Sequence, residues 1–320
     1  MSSQNYPNTL AAIGETPMID LPSLRPAGDA SISVKWEGAN PTGSLKDRMA
    51  LAMVEAARER GDIAPGDPIV EFTGGSTGTS LAFVCAVLGH PFHVVTADCV
   101  ADEKIASMQA LGAEVELLET PNGTTYDGLF DDLHEEALRV REETGAYFTD
   151  QFKNDDQLDG YEAFGEEILD QRPEVDEFVM IAGTGGCAMG TARAIRAADR
   201  EVRISVVEPA ESPVLTEGTT GEHSVQGTAI VGSPPLVDDD AYDEVYTIPN
   251  VEGIECVREI AREEGMLVGT STGMNVAAAR RIAATRDPDA TVVTVACDTG
   301  LKYLSDGLYE GVEDSTFCLG

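Results

Sequence analysis

Hydrophobic positions along this chain change repeatedly between two spacings. Short apolar runs such as 68–72 are typical of buried strands, and the stretches that follow them, such as 79–88, carry apolar residues at helical spacing. The predicted strands are 32–37, 68–72, 92–96, 114–118, 147–149, 177–181, 202–207, 245–248 and 292–296. The predicted helices are 45–61, 79–88, 102–111, 126–144, 156–169, 188–198, 253–264 and 275–285. This alternation predicts an α/β fold whose parallel sheets are joined by right-handed crossovers.

Chain length and two interruptions refine this picture. With 320 residues the chain is long for one hydrophobic core, so we expect two α/β lobes or a single large one. Residues 6–24 are predicted to be irregular because glycine and several prolines punctuate them. Residues 209–242 are rich in Gly, Pro, Ser, Thr and Asp and are predicted to form a long functional or subunit-contacting loop.

Charge is the most unusual bulk property of the chain. It has 57 Asp and Glu residues against 21 Lys and Arg residues, which gives a formal net charge of −36 and a pI near 4.2. Repulsion among these carboxylates destabilises a compact state in dilute buffer, whereas at ~1 M salt a Debye length of about 3 Å screens most of it. The composition therefore predicts a halophilic protein, with an ordinary acidic enzyme as the alternative. Nucleic-acid binding is disfavoured because the sequence has no basic stripe.

Cysteines and histidines do not predict a metal site. The six cysteines are Cys85, Cys99, Cys187, Cys256, Cys297 and Cys318. They form no C-x-x-C motif and no Cys/His pairing at metal-ligand spacing, and their mostly apolar contexts predict buried thiols in a reducing compartment. No apolar run is long enough to span a bilayer, and the first eight residues lack the apolar core of a signal peptide. We therefore expect a soluble, cytoplasmic protein.

The stretch from Asn40 to Arg48 is the first candidate for chemistry. It reads Asn-Pro-Thr-Gly-Ser-Leu-Lys-Asp-Arg, and Ser44 followed three residues later by Asp47 predicts an N-cap that opens a helix. Lys46 then lies in the first helical turn, where the helix dipole and the unpaired N–H groups disfavour a cation. An unprotonated amine is the nucleophile that attacks an aldehyde in Schiff-base chemistry. The alternative is a solvated lysine at a helix start.

Three short polar loops, at 73–78, 183–187 and 269–273, are the second candidate. Each is predicted to follow a strand and precede a helix, and doubly wound folds bind ligands at such positions. Glycines at 183–187 let successive N–H groups converge on an anion such as a phosphate at the start of the next helix. A tight strand-to-helix turn without a ligand is the alternative for this loop.

A dinucleotide site is a further alternative, from another class of function. Gly183, Gly185 and Ala188 match the G-x-G-x-x-G/A pattern, and Glu208 ends the following strand where a ribose-binding acid would lie. These residues would predict an NAD(P)-binding oxidoreductase. That interpretation leaves the Asn40 motif and the loop at 73–78 without a role.

Taken together, the Asn40 motif and the three loops resemble the cysteine synthase and cystathionine β-synthase family of fold type II pyridoxal-phosphate enzymes, which includes O-acetylserine sulfhydrylase. The order and approximate spacing of the motifs agree from about residue 13 to 304. The resemblance implies two doubly wound lobes with mainly parallel sheets, as in the tryptophan synthase β-subunit. It implies a smaller mobile lobe at 40–149 and a larger lobe formed by 1–39 and 150–320. It also implies a homodimer.

The same resemblance implies pyridoxal 5′-phosphate as the cofactor. Lys46 would bind the cofactor covalently and act as the catalytic base, and Ser271 would bond its pyridine nitrogen. The residues implied to hold the cofactor phosphate are Gly183, Thr184, Gly185, Gly186 and Cys187. The residues implied to bind the substrate carboxylate are Thr73, Gly74, Gly75, Ser76, Thr77 and Gln151.

Three segments depart from the family pattern. The carboxylate loop usually reads Thr-Ser-Gly-Asn-Thr, and here it reads Thr-Gly-Gly-Ser-Thr. Ser76 therefore stands where the family has the asparagine that bonds the 3′-oxygen of the cofactor, and a serine has a shorter reach and a single donor. Cys187 replaces a common threonine, and Asp298-Thr299-Gly300 replaces a usual Ser-Gly.

The implied reaction is a β-replacement that makes L-cysteine from an activated serine, O-acetylserine or O-phosphoserine, and sulfide. A neutral hydroxyl at Ser271 does not keep the pyridine nitrogen protonated, which favours β-elimination chemistry. Cystathionine synthesis with homocysteine, and simple β-elimination from serine or cysteine, are the alternatives on the same site.

Overall fold

Two mainly parallel sheets organise the computed structural model, which describes residues 6–126, 128–228 and 232–310. The strands in these residues are β1 (Met18–Asp20), β2 (Ser31–Trp36), β3 (Ile69–Phe72), β4 (Phe92–Ala97), β5 (Glu114–Leu118), β6 (Tyr147–Phe148), β7 (Glu177–Ile181), β8 (Arg203–Pro209), β9 (Glu244–Ile248) and β10 (Thr291–Ala296). The α-helices are α1 (Lys46–Arg60), α2 (Ser76–Leu88), α3 (Asp102–Ala110), α4 (Leu129–Thr144), α5 (Gln157–Gln171), α6 (Gly186–Ala197), α7 (Val214–Glu217), α8 (Asn250–Glu259) and α9 (Thr270–Ala283). The predicted α/β fold class is confirmed.

The larger sheet has the strand order β1-β2-β10-β7-β8-β9. Its strands run parallel except β1, which pairs antiparallel with β2. The last strand along the chain, β10, lies between β2 and β7, and every residue of β10 and β7 is buried. A central parallel strand is covered on both faces, which explains why these runs are mainly apolar and do not alternate between apolar and polar residues.

The smaller sheet has the order β5-β4-β3-β6 and is entirely parallel. Helix α4 packs against β3 and β4, over a small core that includes Phe72 and Leu133. Helix α1 packs against α2 and α5. All four strands fall between residues 69 and 148, inside the predicted lobe at 40–149, whose boundaries stay a prediction.

Helix starts differ most from the sequence predictions. Helix α2 begins three residues earlier than predicted, α9 five residues earlier and α6 two residues earlier. The glycines, serines and threonines at these positions were predicted to form loops. They lie instead in the first turns of the helices, because tertiary packing outweighs their low helix propensity. Several candidate ligand-binding residues therefore lie on the first turn of a helix, where N–H groups are unpaired.

Two further sequence predictions, for residues 6–24 and for the loop at 269–273, are wrong. Strand β1 lies in the stretch predicted to be irregular, because three residues are too few to show a period. The loop at 269–273 does not follow a strand; it comes after a π-helical turn at Ile260–Glu264 that continues α8, although Val268 pairs with Thr299 in an isolated bridge. Within the described ranges, no helix combines the length and apolar character needed to cross a membrane.

Candidate active site

The lysine motif is attached to the end of the central strand β10. Helix α1 begins at Lys46, one residue after the predicted start. The Leu45 N–H donates to the Cys297 carbonyl at 2.9 Å, and the Thr299 N–H donates to the Gly43 carbonyl at 2.8 Å. These two bonds place Lys46 at the carboxyl edge of the larger sheet, where ligands bind in this class of fold.

The helix start is capped differently from the prediction. The Ser44 hydroxyl accepts from the N–H of Lys46 at 3.2 Å and gives no regular N-cap bond. The Asp47 carboxylate reaches back to accept from the Thr42 N–H at 2.8 Å and its hydroxyl at 2.5 Å, and it also accepts from the Ser80 hydroxyl at 2.6 Å. Burial raises the pKa of Asp47, and these hydrogen bonds oppose that shift. Asp47 therefore joins the lysine motif to helix α2.

Lys46 lies near Cys187 of the predicted phosphate loop and near the end of β10. It is half-buried, and its charge acts on the thiols of Cys187 and Cys297 and on the carboxyl of Asp298. Cys187 belongs to the first turn of α6, and Cys297 follows β10. Burial raises the pKa of Cys297 to about 12 and that of Cys187 further still, so both thiols are neutral packing groups at neutral pH.

Three hydroxyl residues begin α9, and Ser271 is the one whose hydroxyl faces the site around Lys46. The Thr270 hydroxyl accepts from the N–H of Gln226 and the Thr272 hydroxyl from the N–H of Cys297, each at 3.0 Å, and both threonines are buried. Ser271 is partly exposed and lies beside the Cys297 thiol. The predicted Ser271 thus lies in the same region as Lys46.

The loop at 183–187 has the geometry of an anion site. Gly185 has φ +94°, and a Cβ there would lie 2.7 Å from a methyl carbon of Val237. A Cβ on Gly183 would lie 2.3 Å from the carbonyl oxygen of Gly227. Among the described residues the N–H groups of Cys187 and Ala188 have no acceptor. Helix α6 therefore presents free N–H donors beside an enclosed glycine turn, which suits a phosphate.

The loop at 73–77 presents a second helix start. The Gly75 N–H donates to the Thr73 hydroxyl at 3.2 Å, and α2 begins at Ser76. Gly74 is exposed, whereas Gly75 and Ser76 are half-buried. First-turn N–H groups at this position can bind a carboxylate.

Gln151 is held beside this loop by hydrogen bonds to both the oxygen and the nitrogen of its side-chain amide. The Thr77 hydroxyl donates to its Oε1 at 2.8 Å, and its Nε2 donates to the Phe72 carbonyl at 3.1 Å. The backbone N–H of Gln151 donates to Glu71, which is fully buried on β3. Gln151 and Thr77 are thus brought together as predicted, and the amide nitrogen of Gln151 is already used within the protein.

Gln157 is a site residue that the sequence analysis missed. Its Nε2 donates to the Gln151 carbonyl at 2.7 Å, and its Oε1 accepts from the Thr184 hydroxyl at 3.1 Å. A Cβ on Gly186 would lie 2.4 Å from that Oε1. Gln157 therefore connects the substrate loop to the glycine turn, and no local motif marks it.

Two lysines were also missed. The Lys302 ammonium donates to the Ser76 hydroxyl at 3.3 Å. Lys104 donates to Gln226, and its ammonium lies 5.0 Å from the centre of the Tyr303 ring. The chain has five lysines in all, which are Lys35, Lys46, Lys104, Lys153 and Lys302. Three of these five therefore lie around one site of a strongly acidic protein.

Comparison with known proteins identifies the family. The family model described as "Pyridoxal-phosphate dependent enzyme" matches residues 9–298. The chain belongs to the pyridoxal-phosphate-dependent enzymes. It is 36% identical over 307 residues to a probable cysteine synthase of Bacillus subtilis (strain 168), which covers 94% of this chain and 97% of that protein.

Solved structures of this enzyme family have the same fold. A cysteine synthase from Entamoeba histolytica superimposes with a TM-score of 0.91 and 29% identity, over 99% of this chain and 95% of that one. An O-ureido-L-serine synthase gives a TM-score of 0.90 and 32% identity, over 98% of each chain. The family membership predicted from the motifs is confirmed.

The residues present fit pyridoxal phosphate. The enclosed glycine turn and the free N–H groups of α6 suit its phosphate, the Lys46 amine suits its aldehyde, and the Ser271 hydroxyl suits its ring nitrogen. The dinucleotide alternative is wrong, because the family is a pyridoxal-phosphate one and Glu208 is otherwise engaged. Glu208 is buried, and it accepts from the N–H of Leu215 at 2.6 Å and from the hydroxyl of Thr216 at 2.6 Å, so it caps the short helix α7 and cannot bind a ribose.

Proposed function

We propose that this protein makes L-cysteine from an activated serine, O-acetylserine or O-phosphoserine, and sulfide. The observation that carries the proposal is the position of Lys46 near two helix starts: its charge acts on Cys187 in the first turn of α6, and Asp47 next to it accepts a hydrogen bond from Ser80 in the second turn of α2. One helix start suits the cofactor phosphate and the other suits the substrate carboxylate. Similarity to cysteine synthases over nearly the full chain supports it.

The residues of this chain have separable roles in such a reaction. Bound pyridoxal phosphate supplies an electron sink for the charge left when the α-proton is removed. The amine of Lys46 would take that proton as general base. The loop at 73–77 holds the carboxylate and so fixes the α-carbon relative to Lys46. This loop and the glycine turn at 183–187 are held in position relative to each other by Glu71, Gln151 and Gln157.

Ser271 supports β-chemistry over other pyridoxal-phosphate reactions. A hydroxyl facing the ring nitrogen leaves the nitrogen unprotonated, so the ring is a weaker electron sink than it would be beside a carboxylate. Rapid loss of a good leaving group from the β-carbon then competes well with chemistry that needs a long-lived carbanion. O-Acetyl and O-phospho groups are such leaving groups.

We also propose the setting of this activity. The lobe at 40–149 closes over the substrate carboxylate and excludes water, which protects the reactive product of elimination. The enzyme acts as a homodimer in the cytoplasm at high salt. The family resemblance supports the dimer, and the net charge of −36 supports high salt.

A substrate panel tests the proposal. The cofactor-loaded protein in molar KCl is given each activated serine with sulfide or with homocysteine, and cysteine, cystathionine and pyruvate are followed. We expect cysteine to form fastest, and to be lost in Lys46→Ala together with the visible absorption of the bound cofactor. Lys153→Ala is the matched control, because Lys153 is exposed and its one ion pair within the described residues is with Asp150. Cystathionine or pyruvate as the main product would replace cysteine synthesis with the corresponding alternative.

A further inference from the structure

The replacement at Ser76 leaves one cofactor atom without its usual partner. The family asparagine at this position bonds the 3′-oxygen of the cofactor, and a serine side chain is shorter and has a single hydrogen to donate. Ser76 is the first residue of α2 and is half-buried. Its hydroxyl accepts from the Lys302 ammonium at 3.3 Å. Ser76, whose side chain is shorter than that of the asparagine it replaces, is thus in contact with the long side chain of Lys302.

Lys302 comes from a different part of the fold. It lies in the short 3₁₀ turn Gly300–Tyr303 that follows β10, and this turn is held to the lysine motif by the Thr299 N–H bond to the Gly43 carbonyl. The backbone that places Lys302 is therefore the same backbone that places Lys46. The charge of Lys46 also acts on Lys302, which indicates that the two amines point into one region.

The Lys302 ammonium has unused donors. It is half-buried, yet in the described part of the chain no carboxylate lies within ion-pair distance of it. The charges of Asp298 and Asp47 raise the pKa of Lys302 from beyond ion-pair distance, but burial lowers that pKa by more. One oxygen of Asp298 accepts from the Tyr303 hydroxyl, and the other is buried without a hydrogen-bond partner among the described residues. An ammonium carries three N–H donors, and the Ser76 hydroxyl takes one of them at long range.

We propose that Lys302, held by Ser76, replaces the family asparagine as the donor to the 3′-oxygen of pyridoxal phosphate. This inference rests on the cofactor site described above. A charged N–H donor to an ionised oxygen makes a shorter and stronger bond than a neutral amide does. The pair of residues therefore supplies a donor in place of the missing asparagine, and it makes Lys302 a cofactor-binding residue.

The proposal predicts a spectroscopic signature. Visible absorption of lysine-bound pyridoxal phosphate requires an ionised 3′-oxygen, and a neighbouring ammonium stabilises that ionised form. Loss of the ammonium favours the protonated oxygen, whose absorption lies in the near ultraviolet. In Lys302→Met we expect the visible band to fall and the near-ultraviolet band to rise. We also expect the dissociation constant for pyridoxal phosphate to rise about 10- to 100-fold, as for loss of one charged hydrogen bond.

The experiment is a spectral titration of the cofactor-free protein with pyridoxal phosphate in molar KCl. The variants are Lys302→Met, Lys302→Arg, Ser76→Asn and the double variant Ser76→Asn with Lys302→Met. Arginine keeps a charged donor and should keep most of the visible band. The double variant restores the family asparagine and should recover both the band and the affinity. Circular dichroism of each cofactor-free variant shows that it is folded.

Lys153→Met is the control for a general loss of positive charge. Lys153 is exposed and pairs with Asp150 away from Ser76, so its removal should leave the visible band in place. The proposal is overturned if Lys302→Met keeps its band and affinity, if Lys153→Met changes the band equally, or if the double variant is no better than Lys302→Met. These readouts do not depend on which substrate is turned over. A protein that fails the substrate panel can still pass this test, and the reverse also holds.

Discussion

Glu71 gives a sharp prediction for the pH dependence of stability. Its carboxyl is fully buried on β3, and burial raises its pKa from 4.5 to about 8. The Thr149 hydroxyl at 2.7 Å, the Gln151 N–H at 3.0 Å and the Phe72 N–H at 2.9 Å donate to it and oppose that rise. Because the folded pKa lies above the unfolded one, the folded state holds an extra proton between these two values. The stability that this proton provides is complete below about pH 4.5 and is lost as the pH rises to about 8.

The size of the effect follows from the shift. Each unit of pKa difference corresponds to about 1.4 kcal/mol, so the full window represents an upper limit of about 5 kcal/mol. Replacement by glutamine removes the titration but places an amide NH₂ against backbone and hydroxyl donors. That mismatch costs about 1–3 kcal/mol at the acidic end of the window. The variant Glu71→Gln should therefore start less stable than wild type and gain on it as the pH rises.

Urea unfolding in molar KCl from pH 6 to 9 measures this difference. We expect the free energy of unfolding of wild type, relative to Glu71→Gln, to fall by about 1.4 kcal/mol per pH unit up to pH 8 and then to level off. Comparing two proteins at each pH cancels the titration of the many other acidic groups. Thr149→Val is the control, because it removes one hydrogen-bond partner that opposes the rise in pKa and leaves the titrating carboxyl, so its slope should match wild type up to pH 8 and level off only at a higher pH. A pH-independent difference between wild type and Glu71→Gln would refute the reasoning.

Three further predictions test the site, the core and the surface. Gly185→Ala should weaken pyridoxal phosphate binding more than tenfold in a fluorescence titration, because φ +94° and the contact with Val237 leave no room for a Cβ. The control is Gly218→Ala, at a left-handed glycine with open space around it, which should bind the cofactor normally. Arg48→Met should lower the free energy of unfolding by about 3–5 kcal/mol in urea, because it leaves the buried carboxylate of Glu37 without its partner at 2.7 Å; a loss below about 1 kcal/mol would contradict this. The melting temperature should rise by several degrees between millimolar and molar KCl, since salt screens the net charge of −36, and an unchanged value would contradict a halophilic surface.

Local chemistry made several features predictable from sequence. The turn before Lys46 is specified by residues within one helical turn of it, so the start of α1 was predicted to within one residue. Strands such as β5 and β7 were predicted with the bounds that the structure has, because their apolar runs are short and clearly delimited. Burial was likewise predicted for most thiols and is confirmed for Cys85, Cys187, Cys256 and Cys297; Cys318 lies outside the described residues.

Predictions failed where a distant segment decides what a residue does. Glu208 has the position of a ribose-binding acid, yet α7 uses its carboxylate as a cap, and nothing before that helix shows this. The starts of α2 and α9 were predicted too late, because their first-turn glycines and hydroxyl residues are poor helix formers in isolation. Gln157 carries no motif at all, and its role comes from what its amide meets.

By itself, the sequence determined the fold class and the family and led to the prediction that Lys46 is the reactive lysine, since periodicity, turn chemistry and the spacing of short motifs act over a few residues each. Only the tertiary structure decided which groups surround that lysine. Lys302 and Ser76 are 226 residues apart, and they meet because β10, the last strand of the chain, inserts at the centre of the larger sheet. Strand order and crossovers set such pairings, and no local pattern records them.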